Sequence, residues 1–467
     1  MISIERSSAT PAYVQLYEGL REDIVRGIYE PDAKLPSVRY VAEELGVSRN
    51  TVDKAYQQLY AEGYVVSRNR SGYYVDPAMP TEGCGADWPG RSEGILAEML
   101  KAPADPPVPY DFFYGSLPTE LFPAEALRKA VGEALCSLEG SNDYSDEFGL
   151  LSLRESLSGY LGRARSVRCS AGQIAIQSGT RDGIERLMHL FDPERHIVAI
   201  EQPGFAGVAQ VLANNRFSIA PLDVSSSEAF FGDLERSGAK IVFVTPSHQF
   251  PTGRIMSYAD RMRLIEWAHA QGAFILEDDY DSEYRYQERP IPSLQSLDRY
   301  GCVIYTGTFS KAFSPAMRVS YLVLPPELVG PYRDRMRSYW CPVSWVTQKA
   351  LGVMLGNGFY EKHVRRQVKY HRTSQRLLIG ALREAFGDKV AIDGEGAGLH
   401  LWLHVDDARP TEELIALGLE EGVRVYPSHP YWVDAKKAQP GTLLMGYSAI
   451  SHRLIAPGIR ALARAWR

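Results

Sequence analysis

Apolar residues at 13, 16, 17, 20, 24 and 28 recur at helical spacing, which predicts an amphipathic helix over 13–28 that ends near Gly27. A turn over 31–36 follows, and Ser37 is placed to cap a short helix through Leu45. Gly46 breaks that helix. Ser48 then caps a third one over 49–62, with Val52, Ala55, Tyr56 and Leu59 on its inner face. Residues 64–67 and 72–75 alternate as a small hairpin whose tip carries Arg68, Asn69, Arg70 and Ser71. Two short helices broken at a glycine, followed by a two-stranded wing, predict a winged helix-turn-helix, mainly α, over residues 1–76.

The periodicity stops at residue 77. Prolines at 77, 80, 89, 103, 106, 107 and 109 alternate with Gly83, Gly85, Gly90 and Gly94, so residues 77–109 read as a tether. From 110 to 467 short apolar runs alternate with amphipathic helices, the pattern of a mainly parallel sheet covered on both faces. The expected strands are 174–177, 196–200, 217–221, 241–244, 274–277, 303–306 and 321–324. Ligands of such sheets sit beyond the carboxyl ends of the strands, where this chain puts its polar residues.

Composition narrows the classes. The chain has 467 residues, 45% hydrophobic and 23% charged, which is ample for a large core. A formal net charge of −6 excludes a globally basic nucleic-acid binder, so any DNA contact is local. Five scattered cysteines (84, 136, 169, 302 and 341) form neither a zinc pattern nor a disulfide framework. With no signal-peptide core at the start and no apolar run of membrane-spanning length, the expectation is a soluble, cytoplasmic protein with no membrane partner.

In the head, Ser48, Arg49, Asn50 and Thr51 open the third helix, the turn from which such folds reach base edges of an operator. Arg39 and the wing residues Arg68 and Arg70 suit phosphates or the minor groove. Between Lys34 and Arg70, six Lys/Arg face four Asp/Glu, so a monomer binds weakly and a dimer is expected. Leu35-Pro36-Ser37-Val38-Arg39, Leu45 to Val52 and Gly72-Tyr73 resemble the GntR-type winged helix. That resemblance implies operator binding through Arg39, Arg49, Thr51 and the wing at Gly72.

In the body, the apolar run before Tyr305 leads into Thr308-Phe309-Ser310-Lys311, with Arg318 seven residues on. A lysine amine forms a Schiff base when desolvated, and hydroxyls with a planar guanidinium hold a phosphate monoester. Together they fit pyridoxal 5′-phosphate on Lys311, its phosphate near Thr308, Ser310 and Arg318; a solvated Ser-Lys turn is the alternative. Ser178-Gly179-Thr180 opens a helix after a strand, an anion site or a simple cap. Phe205 is either a ring stacked on a flat cofactor or core filling. Asp278, at a strand end among Glu277, Asp279 and Asp281, suits a protonated pyridine nitrogen, and Tyr280 the ring's phenolic oxygen. A metal is the other reading of these carboxylates, but no Gly-paced loop or neighbouring histidine supports it, so none is expected.

These segments, with Phe122-Pro123, Tyr144, Gly149, Leu153-Arg154 and Pro251-Thr252-Gly253, resemble the fold-type I aminotransferases. Joined to a GntR-type head, they resemble the MocR family of bacterial transcriptional regulators. The resemblance implies an α/β fold-type I body with a small α+β C-terminal subdomain, and an internal aldimine at Lys311. It further implies that Ser178, Thr180, Ser310 and Arg318 bind the phosphate. A head-to-tail homodimer in which Tyr144 reaches the partner's phosphate is implied as well.

Two departures matter. Phe250 stands where aminotransferases carry Asn, and Leu444 where they carry the arginine that clamps a substrate carboxylate. Arg424 is either a substitute clamp for an effector or a strand-edge surface arginine. The expectation is therefore a regulator sensing a small amine, an amino acid or the cofactor itself. The alternatives are a working aminotransferase with a DNA-binding head, and a degenerate body used only to dimerise.

Overall fold

A computed structural model describes residues 4–5, 10–69, 71–79, 107–286 and 292–467. They fall into two compact units, one within Met1–Pro106 and the other within Pro107–Arg467. Arg70 and most of the expected tether lie outside the described residues.

The head contains α1 (Ala12–Val25), α2 (Val38–Leu45), α3 (Arg49–Ala61), β1 (Val65–Arg68) and β2 (Gly72–Val75). Local chemistry sets the ends of the two short helices. The Ser37 hydroxyl accepts from the Tyr40 N–H at 3.2 Å, and Ser48 accepts from the Thr51 N–H at 3.1 Å. Between them Gly46 takes the left-handed conformation (φ 62°) that stops α2. Leu16, Leu20, Val52, Ala55 and Leu59 close the core against Val65 and Val75 of the antiparallel wing. Filling it with large apolar side chains stabilises the head by about 1.5–3 kcal/mol each. The first helix is shorter than its apolar spacing predicts: it stops at Val25, Gly27 turns with φ 72°, and Ile28 is left 63% exposed.

The body begins with β3 (Tyr110–Asp111) and is built on a seven-stranded sheet. Its strands are β4 (Ile174–Gln177), β5 (Ile197–Gln202), β6 (Ser218–Asp223), β7 (Ile241–Val244), β8 (Phe274–Asp278), β9 (Val303–Thr308) and β10 (Ser320–Val323). Their order is β4-β10-β9-β8-β7-β5-β6. Every neighbouring pair is parallel except those made by β10, which runs antiparallel to both β4 and β9. Strands β4, β7, β9 and β10 are buried along their whole length, which explains why none of them carries a charged residue.

Three helices bear on the site: α4 (Leu151–Arg165), α5 (Thr180–Met188) and α6 (Ala206–Asn214). After the long α7 (Phe359–Phe386) comes an antiparallel sheet in the order β11-β12-β15-β14. It comprises β11 (Val390–Asp393), β12 (His400–Val405), β14 (Tyr426–Pro427) and β15 (Thr442–Gly446). Strand β13 (Val423–Arg424) pairs instead, in parallel, with β3. This part has its own core around Leu401, Leu403, Leu443 and Ile459, an α+β subdomain as expected. Among the described residues, no helix is long and apolar enough to cross a membrane.

Candidate functional site

Beyond the carboxyl ends of β7, β8 and β9 lies a cavity of about 480 Å³. Its wall includes Thr180, Phe205, Asp278, Tyr280, Thr308, Ser310, Lys311 and Arg318. Residues expected at the site from four separate stretches of sequence thus meet in one place.

Lys311 sits on the loop that joins β9 to the reversed β10. The Phe309 N–H donates to the Val319 carbonyl at 3.0 Å and closes that loop at its base. The Tyr284 hydroxyl donates to the Lys311 carbonyl at 2.8 Å, and the lysine Nζ lies 4.0 Å from the centroid of the Tyr114 ring. Enclosure of the amine pushes its pKa down to about 8, although Asp281 and Asp278 pull the other way. A substantial fraction of the amine is therefore neutral, and nucleophilic, near physiological pH.

On the same loop, Thr308 Oγ1 accepts from the Ser310 N–H at 3.1 Å. Arg318, in left-handed backbone (φ 51°), donates from Nη2 to the Ser178 carbonyl at 3.1 Å. Gly179, the N-cap of α5, has φ 96° and faces that guanidinium so closely that a Cβ would collide with it. Arg318, Thr180 and the positive end of α5 form one anion-attracting corner. Ser178 supports this corner through its carbonyl, while its own N–H goes to Asp182 at 2.9 Å.

The carboxylates at the end of β8 divide by partner. Burial would push Asp279 up, but bidentate hydrogen bonds from Arg165 at the end of α4 (2.6 and 3.1 Å) and the Tyr305 hydroxyl (2.7 Å) hold it at about 2. Asp278 is the opposite case. Burial, then the charges of Asp279 and Asp281, push its pKa well above the carboxylate range, and its Oδ1 has no partner among the described residues. An orphaned buried carboxyl at the cavity wall calls for a cationic N–H donor from a ligand. The donor set therefore fits a pyridoxal phosphate, with a nucleophilic amine, a phosphate corner and a carboxyl for the ring nitrogen.

Tyr280 is held by residues that sequence reading missed. Its hydroxyl donates to the His248 carbonyl at 3.1 Å and lies 3.0 Å from His248 Nδ1, which also meets Asp281 Oδ2 at 2.9 Å. His400, from β12, packs 5.2 Å from the His248 ring and places Nε2 2.9 Å from the Pro251 carbonyl. Burial, then His248, push its pKa well below the ordinary value, so it is neutral. This corrects the expectation that no histidine accompanies the carboxylates: donor atoms of His248, Asp281 and His400 lie within 4.8 Å of one another. The only early signal was His248 itself, just before Pro251-Thr252-Gly253; His400 is distant in sequence.

Phe205 both faces the cavity and packs into the core, edge-on to Phe250 at 6.2 Å. Phe250 and Leu444 belong to one apolar cluster with Tyr280 and Trp402, of which Phe250 and Tyr280 line the cavity. Arg424 does not line the cavity; its Nη1 lies 3.5 Å from Asp111 Oδ2, and its side chain is only 15% exposed. It is half-buried on its short strand. Tyr144 is 80% exposed and stacks on Trp340 at 5.1 Å, away from the cavity lining of its own chain.

On the head, Ser48, Arg49 and Asn50 are exposed at the start of α3, with Thr51 half-buried behind them. Gly72 is exposed in the wing (φ 111°). Arg39 pairs with Glu43 at 2.9 Å on the surface. Arg68 pairs with Asp32 and lies over the Tyr74 ring at 4.2 Å, so its charge is partly engaged within the head.

Comparison with known proteins matches both units. Residues 12–75 fit the family described as bacterial regulatory proteins, gntR family, and 115–444 fit aminotransferase class I and II. The probable rhizopine catabolism regulatory protein MocR of Rhizobium meliloti is 32% identical, over 100% of this chain and 96% of its own. An HTH-type transcriptional regulator of Bacillus subtilis, YhdI, is 34% identical over 99% and 97%. Among solved structures, LysN, an alpha-aminoadipate aminotransferase from Thermus thermophilus crystallised with N-(5′-phosphopyridoxyl)-L-leucine, superposes with a TM-score of 0.69. It is 25% identical and covers 79% of this chain and 94% of its own.

Proposed function

The chain belongs to the MocR-type regulators, a gntR-family head on an aminotransferase class I and II body, and from that premise we propose that it senses a small amine through Lys311. The chain is a DNA-binding transcriptional regulator whose body takes pyridoxal 5′-phosphate. An amine, an amino acid or the cofactor itself would engage Lys311 and change how the heads bind an operator. The division proposed is a head at 1–76, a tether at 77–109 and a sensing body at 110–467.

When bound, the cofactor supplies an aldehyde that condenses with amines and a ring that withdraws electrons. The chain's own residues do the rest. Lys311 would offer the neutral amine, and Asp278 would hold the ring nitrogen. Tyr280, held against His248, would serve the ring oxygen, and Phe205 would pack against the ring. Gly179, Thr180, Thr308, Ser310 and Arg318, with Ser178 behind them, would receive the phosphate. In a head-to-tail homodimer Tyr144 would complete the partner's corner. Ser48, Arg49, Asn50 and Thr51 read base edges, while Arg39, Arg68, Arg70 and the wing at Gly72 follow the backbone of duplex DNA. A cytoplasmic location belongs to the same proposal.

The observation that carries this reading is one enclosure that brings the Lys311 amine together with the buried carboxyl of Asp278, whose Oδ1 has no partner among the described residues, in a chain with a gntR-family head. A ligand shifts the regulator only through its differential affinity for the two DNA-binding postures. The test is a visible spectrum of the purified protein, borohydride fixation at Lys311, and footprinting of the operator during an amine titration. Absorbance without any amine-dependent change in the footprint would remove the sensing reading. Steady keto-acid production, lost in Lys311→Ala, would favour the aminotransferase instead. The apolar surroundings of Leu444 speak against that alternative, because a carboxylate there would meet no guanidinium.

A further inference from the structure

The Lys311 amine lies 4.0 Å from the centroid of the Tyr114 ring, well inside the range of a cation–π attraction. Tyr114 follows β3 and lines the cavity. Its ring packs 4.8 Å from the His400 ring and 5.3 Å from that of Phe250. Behind its backbone passes Gly446 of β15, whose N–H donates to the Phe112 carbonyl at 2.8 Å. A Cβ on Gly446 would stand 2.5 Å from the Tyr114 nitrogen, so a glycine is what lets the two segments meet. Burial, then the charges of Asp281 and Asp278, push the Tyr114 hydroxyl well above the ordinary phenol value, so the ring is neutral. It attracts a cation through the electron-rich face. The other groups around the amine differ. Asp278 and Asp281 act on it as charges, with no hydrogen bond to it among the described residues. The Tyr280 hydroxyl is turned to His248, His400 is neutral, and Arg318 repels a cation across the same cavity.

We infer that Tyr114 is the seat of the Lys311 ammonium once a ligand amine has displaced it, a positioning residue that weights the chain toward its effector-bound state. This deepens the sensing reading and rests on Lys311 being the point of exchange. The exchange forms one carbon–nitrogen bond and breaks another, with no change of oxidation level. A ligand that arrives as an ammonium leaves its surplus proton on the lysine nitrogen. That nitrogen is then a charge inside an enclosure, where an uncompensated charge is costly. The ring face 4.0 Å away offsets part of that cost, and so favours release.

The test has two arms, both on the full-length protein. In the first, without cofactor, acylation of Lys311 by p-nitrophenyl acetate is followed by peptide mass spectrometry between about pH 6 and 10, which reads the fraction of neutral amine. Tyr114→Leu should move the midpoint down by about one pH unit, while Tyr114→Phe, which keeps the ring face, should stay close to wild type. Phenylalanines bearing one, two and three fluorines, introduced at position 114, draw charge from the face and should lower the midpoint stepwise. That series serves equally where the leucine variant does not fold. In the second arm the protein is loaded with cofactor and titrated with n-propylamine by visible absorbance. Tyr114→Leu should need about tenfold more amine than wild type. Superimposed wild-type and leucine profiles, a flat fluorine series, or an unchanged amine titration overturns the inference. So does a Tyr114→Phe shift as large as that of the leucine variant, because the hydroxyl would then be the cause. A wild-type protein that forms no chromophore, or whose spectrum ignores n-propylamine, brings down exchange at Lys311 and this inference with it, whatever the acylation profiles show.

Discussion

Asp281 accepts a hydrogen bond from Nδ1 of His248 at 2.9 Å, and each side chain is only 1% exposed. The carboxylate fixes which imidazole nitrogen carries the proton, and the histidine in turn sets where the Tyr280 hydroxyl lies. Tyr280 itself stays neutral, since burial and then the charge of Asp281 push its pKa well above the ordinary phenol value. The tyrosine that would face the cofactor's ring oxygen is thus aimed by a pair of residues that touch no cavity surface themselves.

Replacing Asp281 by alanine should therefore act at a distance. The buried imidazole loses its acceptor, at a cost of about 1–3 kcal/mol in stability. The absorbance maximum of the loaded protein should shift as Tyr280 loosens. Asp281→Asn, which keeps an acceptor oxygen, should recover most of the stability. Thermal denaturation and the visible spectrum measure the two effects separately.

The Arg165–Asp279 pair makes the body sensitive to acid. Asp279 is held at about 2 against an ordinary value near 4, so its contribution is complete above pH ~4 and is lost as pH falls through about 2. Arg165→Ala leaves a buried carboxylate unpaired and should destabilise by about 3–5 kcal/mol at neutral pH. Its acid transition should be shallower than that of wild type, as seen by denaturant midpoints between pH 2 and 7.

Lys311 gives a dependence of the same sign at the alkaline end of the scale. With the amine near 8 rather than about 10.4, the ligand-free folded protein holds fewer protons than the unfolded chain between those values. Its stability should rise with pH across that interval. The rate of covalent cofactor capture, followed by absorbance, should rise through pH 8 and level off above it, because only the neutral amine attacks. Lys311→Ala should capture none.

For the head, Arg49→Ala should weaken operator binding by about 1–3 kcal/mol and relax preference at one base position. Arg49 is exposed, so thermal stability should not change. An unchanged footprint would remove it from the reading set.

What the sequence foretold followed chemical locality. Ser37, Gly46 and Ser48 bound the head's helices because capping needs only near neighbours. Strands β4 and β7 fall where expected because a four-residue apolar run between polar turns has one reading. Strand β9 runs two residues further than expected, to Thr308, because Gly307 looks like a turn but pairs with Tyr321. The reversal of β10 left no periodic trace, since strands buried on both faces look alike in either direction. Tyr114 over Lys311, His400 beside His248, and Arg165 on Asp279 join residues more than a hundred positions apart.

The clasp between Phe309 and Val319 has one last consequence. The backbone beneath Lys311 has no slack, so a ligand that takes over the lysine's bond sets a side chain loose without freeing the segment that bears it. The amide proton of Phe309 should exchange equally slowly with and without effector. Whatever travels onward from the site must leave through the groups around the bound molecule, and deuterium uptake should change first at Phe205 and at the opening turn of α5.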